Sequence, residues 1–208
     1  ADLDVTHIAG VPHHFEMLHR HGCDLGRIRT LRSVTQAGGR LAPELVRHFA
    51  AAGRQRGWRF FVMYGQTEAT ARIAYLPPDL ATTHPSAIGV AVPGGEIRVD
   101  PSVVAPDDVP AELRAAVRRG EIGELVYAGP NVMLGYYQKP EATAEVIRGG
   151  WFFTGDLGYR DKDGYYFITG RSKEMIVLST GKKIFPDELE KFYRQLPSIK
   201  EICMVQTD

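Results

Sequence analysis

The sequence predicts an α/β fold that gives way to a small antiparallel β-sheet or barrel and then to the beginning of an α+β unit. Three observations carry this. Over the first part of the chain, apolar runs of strand length alternate with helix-period segments across short links, the pattern of a parallel sheet. From Leu76 onward prolines break the chain into short pieces, at Pro77, Pro78, Pro85, Pro93 and Pro101. After Arg171 a strand-like run, an amphipathic segment and a second apolar run follow in turn.

DVTHIAGV opens as a short buried strand. Pro12 then sits where a first helical residue belongs, since a first-turn N–H would be unpaired anyway. HHFEMLHRHG follows with Phe15, Leu18 and His19 on one face, and Gly22 is its stop. LRSVTQAGG is a second strand running into a double glycine. Pro43 opens a longer helix, PELVRHFAAAGRQRG, whose apolar stripe is Leu45, Val46, Phe49 and Ala50. WRFFVMYG is a third strand. In the middle part, IGVAVPGGEIRVD and GEIGELVYAG read as short strands, and PAELRAAVRRG as a brief helix between Pro110 and Gly120. WFFTGDLGYRDKDGYYFITGR is a hairpin turned at Asp163-Gly164, with Tyr165, Phe167 and Thr169 alternating with Tyr166 and Ile168. KEMIVLSTG is a strand, PDELEKFYRQL a helix with Leu189, Phe192, Tyr193 and Leu196 to one side, and EICMVQ the start of another strand.

Composition narrows the class. With 44% hydrophobic and 24% charged residues the chain is ordinary globular material, not a disordered one. Its 208 residues hold one good-sized domain, or one domain and part of another. Lys and Arg number 25 against 25 for Asp and Glu, so no global charge draws the chain to nucleic acid. No apolar run approaches the ~20 residues of a membrane helix. ADLDVTHIAG lacks the basic start and apolar stretch of a secretory leader. Cys23 and Cys203 are too few for a disulfide scaffold and fit a reducing compartment, so a cytoplasmic protein is expected. Six of the seven histidines, His7, His13, His14, His19, His21 and His48, crowd the N-terminal part without a spacing that suits a shared ion.

Three segments carry chemistry. In MYGQTEAT a strand ends at Tyr64, Gly65 permits a tight turn, and Gln66, Thr67 and Glu68 emerge at a sheet's C-terminal edge, where ligands bind in open α/β sheets. Thr67 suits a phosphate oxygen, Glu68 a hard cation, and the Tyr64 ring a base. A polar turn with a helix cap accounts for the same residues. In TGDLGYRDKDGYYFITGR, Asp156 and Arg171 suit a ribose, a carboxylate taking paired hydroxyls with an arginine near it. A salt bridge closing the hairpin is the simpler alternative. In STGKKIFPDELE, Gly181 lets a thin ligand approach and Lys182 and Lys183 suit phosphate. A loop with solvated lysines explains these too.

The order of the motifs says more than any one of them. YGQTE, then GEL through GPNVMLGYY, then WFFTGDLG, then GRSK, then GKKIFPDELE closely resembles the adenylate-forming superfamily: acyl-CoA synthetases, nonribosomal peptide synthetase adenylation domains and firefly luciferases. The resemblance runs from THIAGVPHHFEML to the end of the chain. It implies an enzyme that activates a carboxylic acid with ATP and Mg2+, releases pyrophosphate, and passes the acyl group to coenzyme A. A phosphopantetheine arm on a carrier protein is the alternative acceptor, and a non-catalytic nucleotide-binding module the alternative class. By the same resemblance Tyr64 stacks on adenine, Thr67 contacts the α-phosphate, Glu68 holds magnesium, and Gly65 and Gln66 complete that loop. Gly38, Gly39 and Arg40 border the adenine and acyl pocket. Asp156 binds the ribose with help from Arg171, and Ile168 lies against the adenine region. Lys173 matches the hinge of a C-terminal lid, and Gly181 the lid face lining the thiol's tunnel.

The resemblance also sets boundaries. Residues 1–84 correspond to the end of a large α/β subdomain, 85–171 to a distorted barrel and 172–208 to the start of the lid. The family's phosphate-binding loop lies upstream of THIAGVP and its catalytic lysine beyond this chain's last residue. The resemblance therefore implies the middle-to-late portion of a larger enzyme, inactive by itself. PSVVAPDDVPAELRAAVRRG is longer than the family's usual link and has no assigned role.

Overall fold

The computed structural model describes residues 4–103, 114–118 and 121–171, then residues 176–177 and 183–184 and single residues up to Met204. Strands β1 (His7–Gly10), β2 (Ser33–Gln36) and β3 (Arg59–Tyr64) pair in parallel, linked by α1 (Pro12–Arg20) and α2 (Pro43–Arg56). Both helices begin at the anticipated prolines. Phe15 of α1 and Phe49 of α2 meet Phe60 of β3 with ring centroids 5.2 to 5.8 Å apart, and Val34 and Val46 are buried beside them. Burying three phenyl rings supplies most of what fixes the helices on the sheet.

Two strands extend this sheet beyond the sequence reading. β4 (Ala74–Leu76) pairs antiparallel with β3, and β5 (Val90–Ala91) antiparallel with β4. β4, at three residues, is too short to leave a periodic signal, and β5 lies within the anticipated IGVAV strand but joins the first sheet and not the barrel-like part.

The second sheet is antiparallel throughout. β6 (Glu96–Asp100) and β7 (Ile122–Ala128) are followed by β8 (Ile147–Arg148), β9 (Trp151–Arg160) and β10 (Tyr166–Arg171), in the order β10-β9-β7-β6 with β8 beside β9. α3 (Arg114–Arg118) lies within the anticipated short helix, whereas α4 (Pro140–Val146) and β8 were not anticipated. The barrel is not closed among the described residues: β10 and β6 are the two edges of the path. What joins them is a side chain, the Tyr166 hydroxyl donating to the Ile97 carbonyl at 2.6 Å. Beyond Arg171, β11 (Ile176–Val177) and β12 (Lys183–Ile184) pair antiparallel. Lys173, Gly181 and most of the helix expected over PDELEKFYRQL lie outside the described residues. No helix among the described residues is long and apolar enough to cross a membrane.

Two register breaks shape β9. Against β7 the pairing shifts between Glu124 and Val126, so that Leu125 alone faces Thr154 to Asp156. The ladder bonds lost there are replaced by side chains. Thr154 Oγ1 donates to the Leu125 carbonyl at 2.7 Å and accepts the Asp156 N–H at 3.0 Å. The Gly155 N–H donates to Glu124 Oε1 at 2.7 Å. Against β10 the register slips between Ile168 and Gly170. An unbroken ladder would set Asp156 opposite Gly170; the slip sets it opposite Arg171.

The sheets meet at Gly89. Its carbonyl accepts the Tyr166 N–H at 2.9 Å, while the Ile88 N–H donates to the Tyr166 carbonyl at 2.9 Å. Tyr165 and Phe167 pack into the first core, and Ala69, Ile73 and Ala74 into the second. Gly89 has φ +88°, and a Cβ there would fall on the Tyr75 carbonyl oxygen. Gly57 has a similar φ of +84° at the end of α2 but open space around it. Gly57→Ala is therefore expected to cost ~1 kcal/mol, the left-handed penalty alone, and Gly89→Ala ~3 kcal/mol or more. Thermal melts of the two purified variants decide this: equal losses would show that the approach of the two sheets at Gly89 is not tight.

Candidate active site at the seam of the two sheets

β3 ends at Tyr64, and the chain turns through Gly65 and Gln66 into a single 3-10 turn over Thr67–Ala69. It returns to the sheet at once, the Ile73 N–H donating to the Tyr64 carbonyl at 2.8 Å. So tight a return needs left-handed backbone at two residues that are not glycine, Thr70 (φ +50°) and Ala71 (φ +63°). Asn131, on the loop after β7, holds the turn in place. Its Nδ2 donates to the carbonyls of Ala69 at 2.8 Å and Arg72 at 2.7 Å, and its own carbonyl accepts from Thr70 Oγ1 at 2.6 Å. The Tyr127 hydroxyl fixes the Asn131 amide by donating to Oδ1 at 2.6 Å. Strain in the loop is thus offset by a half-buried amide on the loop that follows β7.

The same loop reaches Asp156 on β9. The Tyr64 hydroxyl donates to Asp156 Oδ2 at 2.5 Å and Gln66 Nε2 to the same oxygen at 2.7 Å. Gln66 Nε2 also donates to the Thr154 carbonyl at 2.9 Å. Arg171 Nε lies 2.8 Å from Oδ1, with the carboxylate side chain 8% and the arginine 48% exposed. Burial first, and the Asp156 charge second, push the Tyr64 phenol far above its usual range, which keeps it a neutral donor. The hairpin salt bridge weighed from the sequence therefore exists, as one arm of a larger centre.

Next to this centre opens a cavity of about 200 Å³ lined by Gln66, Glu68, Glu124, Tyr136, Arg148 and Arg171 among others. Glu68 accepts from the Tyr136 hydroxyl at Oε1, 2.8 Å away. Arg148 lies flat on Phe153, 3.7 Å from the ring centroid. Desolvation by burial raises Glu124 above its ordinary range, and Asp100 and Asp156 add to this, while the Gly155 N–H and Arg148 oppose it.

The structure brings Tyr64, Gln66, Asp156 and Arg171 into direct contact and sets Glu68 on the adjoining wall. Thr67 is exposed on the turn, and Gly65 sits tightly against the returning Ala71–Arg72 backbone. Gly38, Gly39 and Arg40 follow β2, the strand beside β3; Gly38 is left-handed at φ +77°, and Arg40 lies close enough to act on Tyr159. Ile168 pairs with Gly158 and packs on the second core. From the sequence Glu124, with Glu121, reads as an edge charge, whereas the structure buries it; Asn131, Tyr136 and Thr154 were passed over. Each lies inside a motif already quoted, but their roles depend on bulges and a loop crossing that no local pattern encodes.

Glu124 supplies a pH test. Its folded carboxyl holds a proton to higher pH than in the unfolded chain. The stability linked to it is complete below the ordinary value of 4.5 and is lost as pH rises through the elevated one. Glu124→Gln keeps an acceptor for Gly155 and removes the charge. It is expected to melt higher than the parent at pH 7, with the gain shrinking as pH falls toward 4.5. A gain independent of pH would mean that charge is not the cause.

Comparison with known proteins adds the family. The profile of the AMP-binding enzymes matches residues 1–137. A 2-succinylbenzoate–CoA ligase from Geobacillus kaustophilus (strain HTA426) is 37% identical over 188 residues, which is 89% of this chain and 35% of that protein. A feruloyl-CoA synthase from an Amycolatopsis species is 37% identical over 205 residues, 97% of this chain and 38% of its own. Among solved structures, O-succinylbenzoate coenzyme A synthetase from Bacillus subtilis, in complex with ATP and a magnesium ion, superimposes with a TM-score of 0.73. The identity is 27%, over 95% of this chain and 38% of that one. The amide bond synthetase of Marinactinospora thermotolerans gives 0.70 at 29% identity, over 95% of this chain and 37% of that one. The chain thus spans little more than a third of the relatives it matches. With the profile covering the first sheet, the Thr67–Ala69 turn and the loop that clamps it, the chain belongs to the AMP-binding enzyme family, the adenylate-forming superfamily that its motif order resembles.

Proposed function

We propose that the protein is an ATP-dependent ligase that joins a small carboxylic acid to coenzyme A through an acyl-adenylate. The observation that carries this is the seam: Tyr64 and Gln66 of one sheet meet Asp156 and Arg171 of the other, and Gln66, Glu68 and Arg171 line the cavity beside that contact. Relatives of this chain are CoA ligases, which supports coenzyme A as acceptor.

In this scheme a carboxylate oxygen of the acid attacks the α-phosphorus of ATP, and the bond to pyrophosphate breaks. The thiol sulfur then attacks the acyl carbon, loses its proton and expels AMP. The chain's residues bind and orient. Asp156 takes the ribose hydroxyls on the side of Oδ1, where the half-exposed Arg171 opens toward solvent. The Tyr64 ring offers a face to adenine, and its hydroxyl keeps Asp156 from turning away. Gly38, Gly39 and Arg40 border adenine and the acyl pocket, and Ile168 supports the base from below. Thr67 contacts the α-phosphate. Glu68 suits a magnesium ion, because it offers a carboxylate in an open polar cavity, and a hard cation completes its shell with phosphate oxygens and water. Bound there, the ion would neutralise charge on the phosphates.

The remaining assignments belong to the same proposal. Residues 1–84, 85–171 and 172–208 are the end of the large subdomain, a barrel-like subdomain and the start of the lid. Lys173 is the hinge and Gly181 faces the thiol. The cytoplasm, which supplies ATP and a reducing medium for the exposed free Cys23, is the compartment.

The test is ATP–pyrophosphate exchange by the full-length protein across a panel of carboxylic acids, then thioester formation with coenzyme A. No exchange with any acid would leave a nucleotide-binding module. Exchange without a coenzyme A thioester would point to a carrier-protein arm. Asp156→Ala is expected to raise the KM for ATP about ten- to a hundredfold, the loss of a charged hydrogen bond, with the KM for the acid little changed. The reverse pattern would remove Asp156 from the ribose. Lys173→Pro is expected to spare adenylate formation and to slow the thioester step, because a fixed φ holds the lid in one pose. Equal losses in both steps, tracking a lower melting temperature, would dismiss the hinge.

A further inference from the structure

The cavity wall holds one contact that the proposed chemistry leaves unused. The Tyr136 hydroxyl donates to Glu68 Oε1 at 2.8 Å, and both side chains line the cavity. Glu68 is in fact gripped twice by the same loop, since its backbone carbonyl accepts the Met133 N–H at 2.7 Å. Tyr136 is anchored in turn. Its N–H donates to Thr143 Oγ1 at 2.9 Å, and that hydroxyl donates to the Lys139 carbonyl at 2.9 Å, tying the loop to the first turn of α4.

A glutamate on an exposed turn has several torsions free and loses them when a cation fixes its carboxylate. A donor that holds one carboxylate oxygen beforehand removes part of that cost and leaves the other oxygen for the ion. Outer-shell partners of metal ligands commonly act in this way. We propose that Tyr136 is a positioning residue for a magnesium ion bound at Glu68, holding Oε1 so that Oε2 is presented to the ion. This rests on the reading of Glu68 as the magnesium ligand. Tyr136 touches no reacting atom and acts through Glu68. Because it comes from the second sheet and Glu68 from the first, metal affinity becomes a measure of how well the seam is closed.

The experiment uses the full-length protein with Mn2+ as the probe, titrated by electron paramagnetic resonance in the presence of a non-hydrolysable ATP analogue. Nucleotide affinity in EDTA and the melting temperature are measured alongside. Tyr136→Phe keeps the ring and removes the hydroxyl, and is expected to weaken Mn2+ about tenfold while metal-free nucleotide binding and melting stay unchanged. Thr143→Val, which frees the Tyr136 backbone, should shift Mn2+ affinity the same way by less. Glu68→Gln should all but abolish the metal dependence. If Glu68→Gln does so and Tyr136→Phe leaves Mn2+ affinity intact, the inference falls and the metal reading stands. If Glu68→Gln leaves Mn2+ affinity intact, the metal reading falls and takes the inference with it. Parallel losses of Mn2+ binding, metal-free nucleotide binding and melting temperature in Tyr136→Phe overturn the inference in favour of a structural tie.

Discussion

The carboxylate of Asp156 is the point at which the two sheets become one structure. It sits on β9, yet two of its partners, Tyr64 and Gln66, stand at the end of β3, about ninety residues earlier in the chain. A buried carboxylate without donors is costly enough to be rejected by a fold. Here Arg171 supplies one donor from the same sheet and the loop that carries Glu68 supplies the others, so Asp156 is fully satisfied only when that loop is in place. The requirement also runs the other way, because the left-handed pair Thr70–Ala71 is held by Asn131 of the second sheet. Each sheet thus completes the hydrogen bonding of polar groups on the other.

Getting Asp156 to that point requires breaking the regular sheet twice. The slip in β10 brings Arg171 opposite it, and the bulge in β9 turns the Thr154–Asp156 segment toward the seam. A bulge strands backbone groups, and Thr154 and Glu124 meet that demand with their side chains. Glu124 is then buried, and desolvation first, with the like charges of Asp100 and Asp156 after it, raises its proton affinity. Replacing such a centre with apolar residues would often make a sheet no less stable. Its polarity makes sense as the cost of presenting Asp156 and Arg171 on a rigid strand beside a ligand cavity.

Much of this was legible in the sequence, and the part that was not has a physical reason. The prolines at positions 12 and 43 and the apolar stripes gave the helices of the first sheet, because helix starts and burial periods are local. The Asp163–Gly164 turn gave the hairpin for the same reason: Gly164 is left-handed at φ +90° and Asp161 Oδ1 takes the N–H groups of Asp163 and Tyr165. Tyr64, Gln66, Asp156 and Arg171 were all named, but their union was not. Composition could not show that the tyrosine hydroxyl would serve Asp156. The strand β4 was missed because three residues carry no period, β5 was read within IGVAV but not placed in the first sheet, and the distorted barrel that was expected is an open path among the described strands. Tyr136 stood in plain view in GPNVMLGYY. Only the crossing of that loop over the Thr67–Ala69 turn gives its hydroxyl a partner.

The arrangement implies a division of labour. The first sheet ends in groups suited to phosphate and its cation, Thr67 and Glu68, while the second ends in groups suited to a ribose, Asp156 and Arg171. A nucleotide has both parts at a fixed separation, so it can be bound well only if the two strand ends keep their spacing. Direct bonds from Tyr64 and Gln66 to Asp156 set that spacing before any ligand arrives, and preorganisation of this kind lowers the entropy lost on binding. The seam therefore holds the two strand ends at one spacing, up to Arg171, where β10 ends.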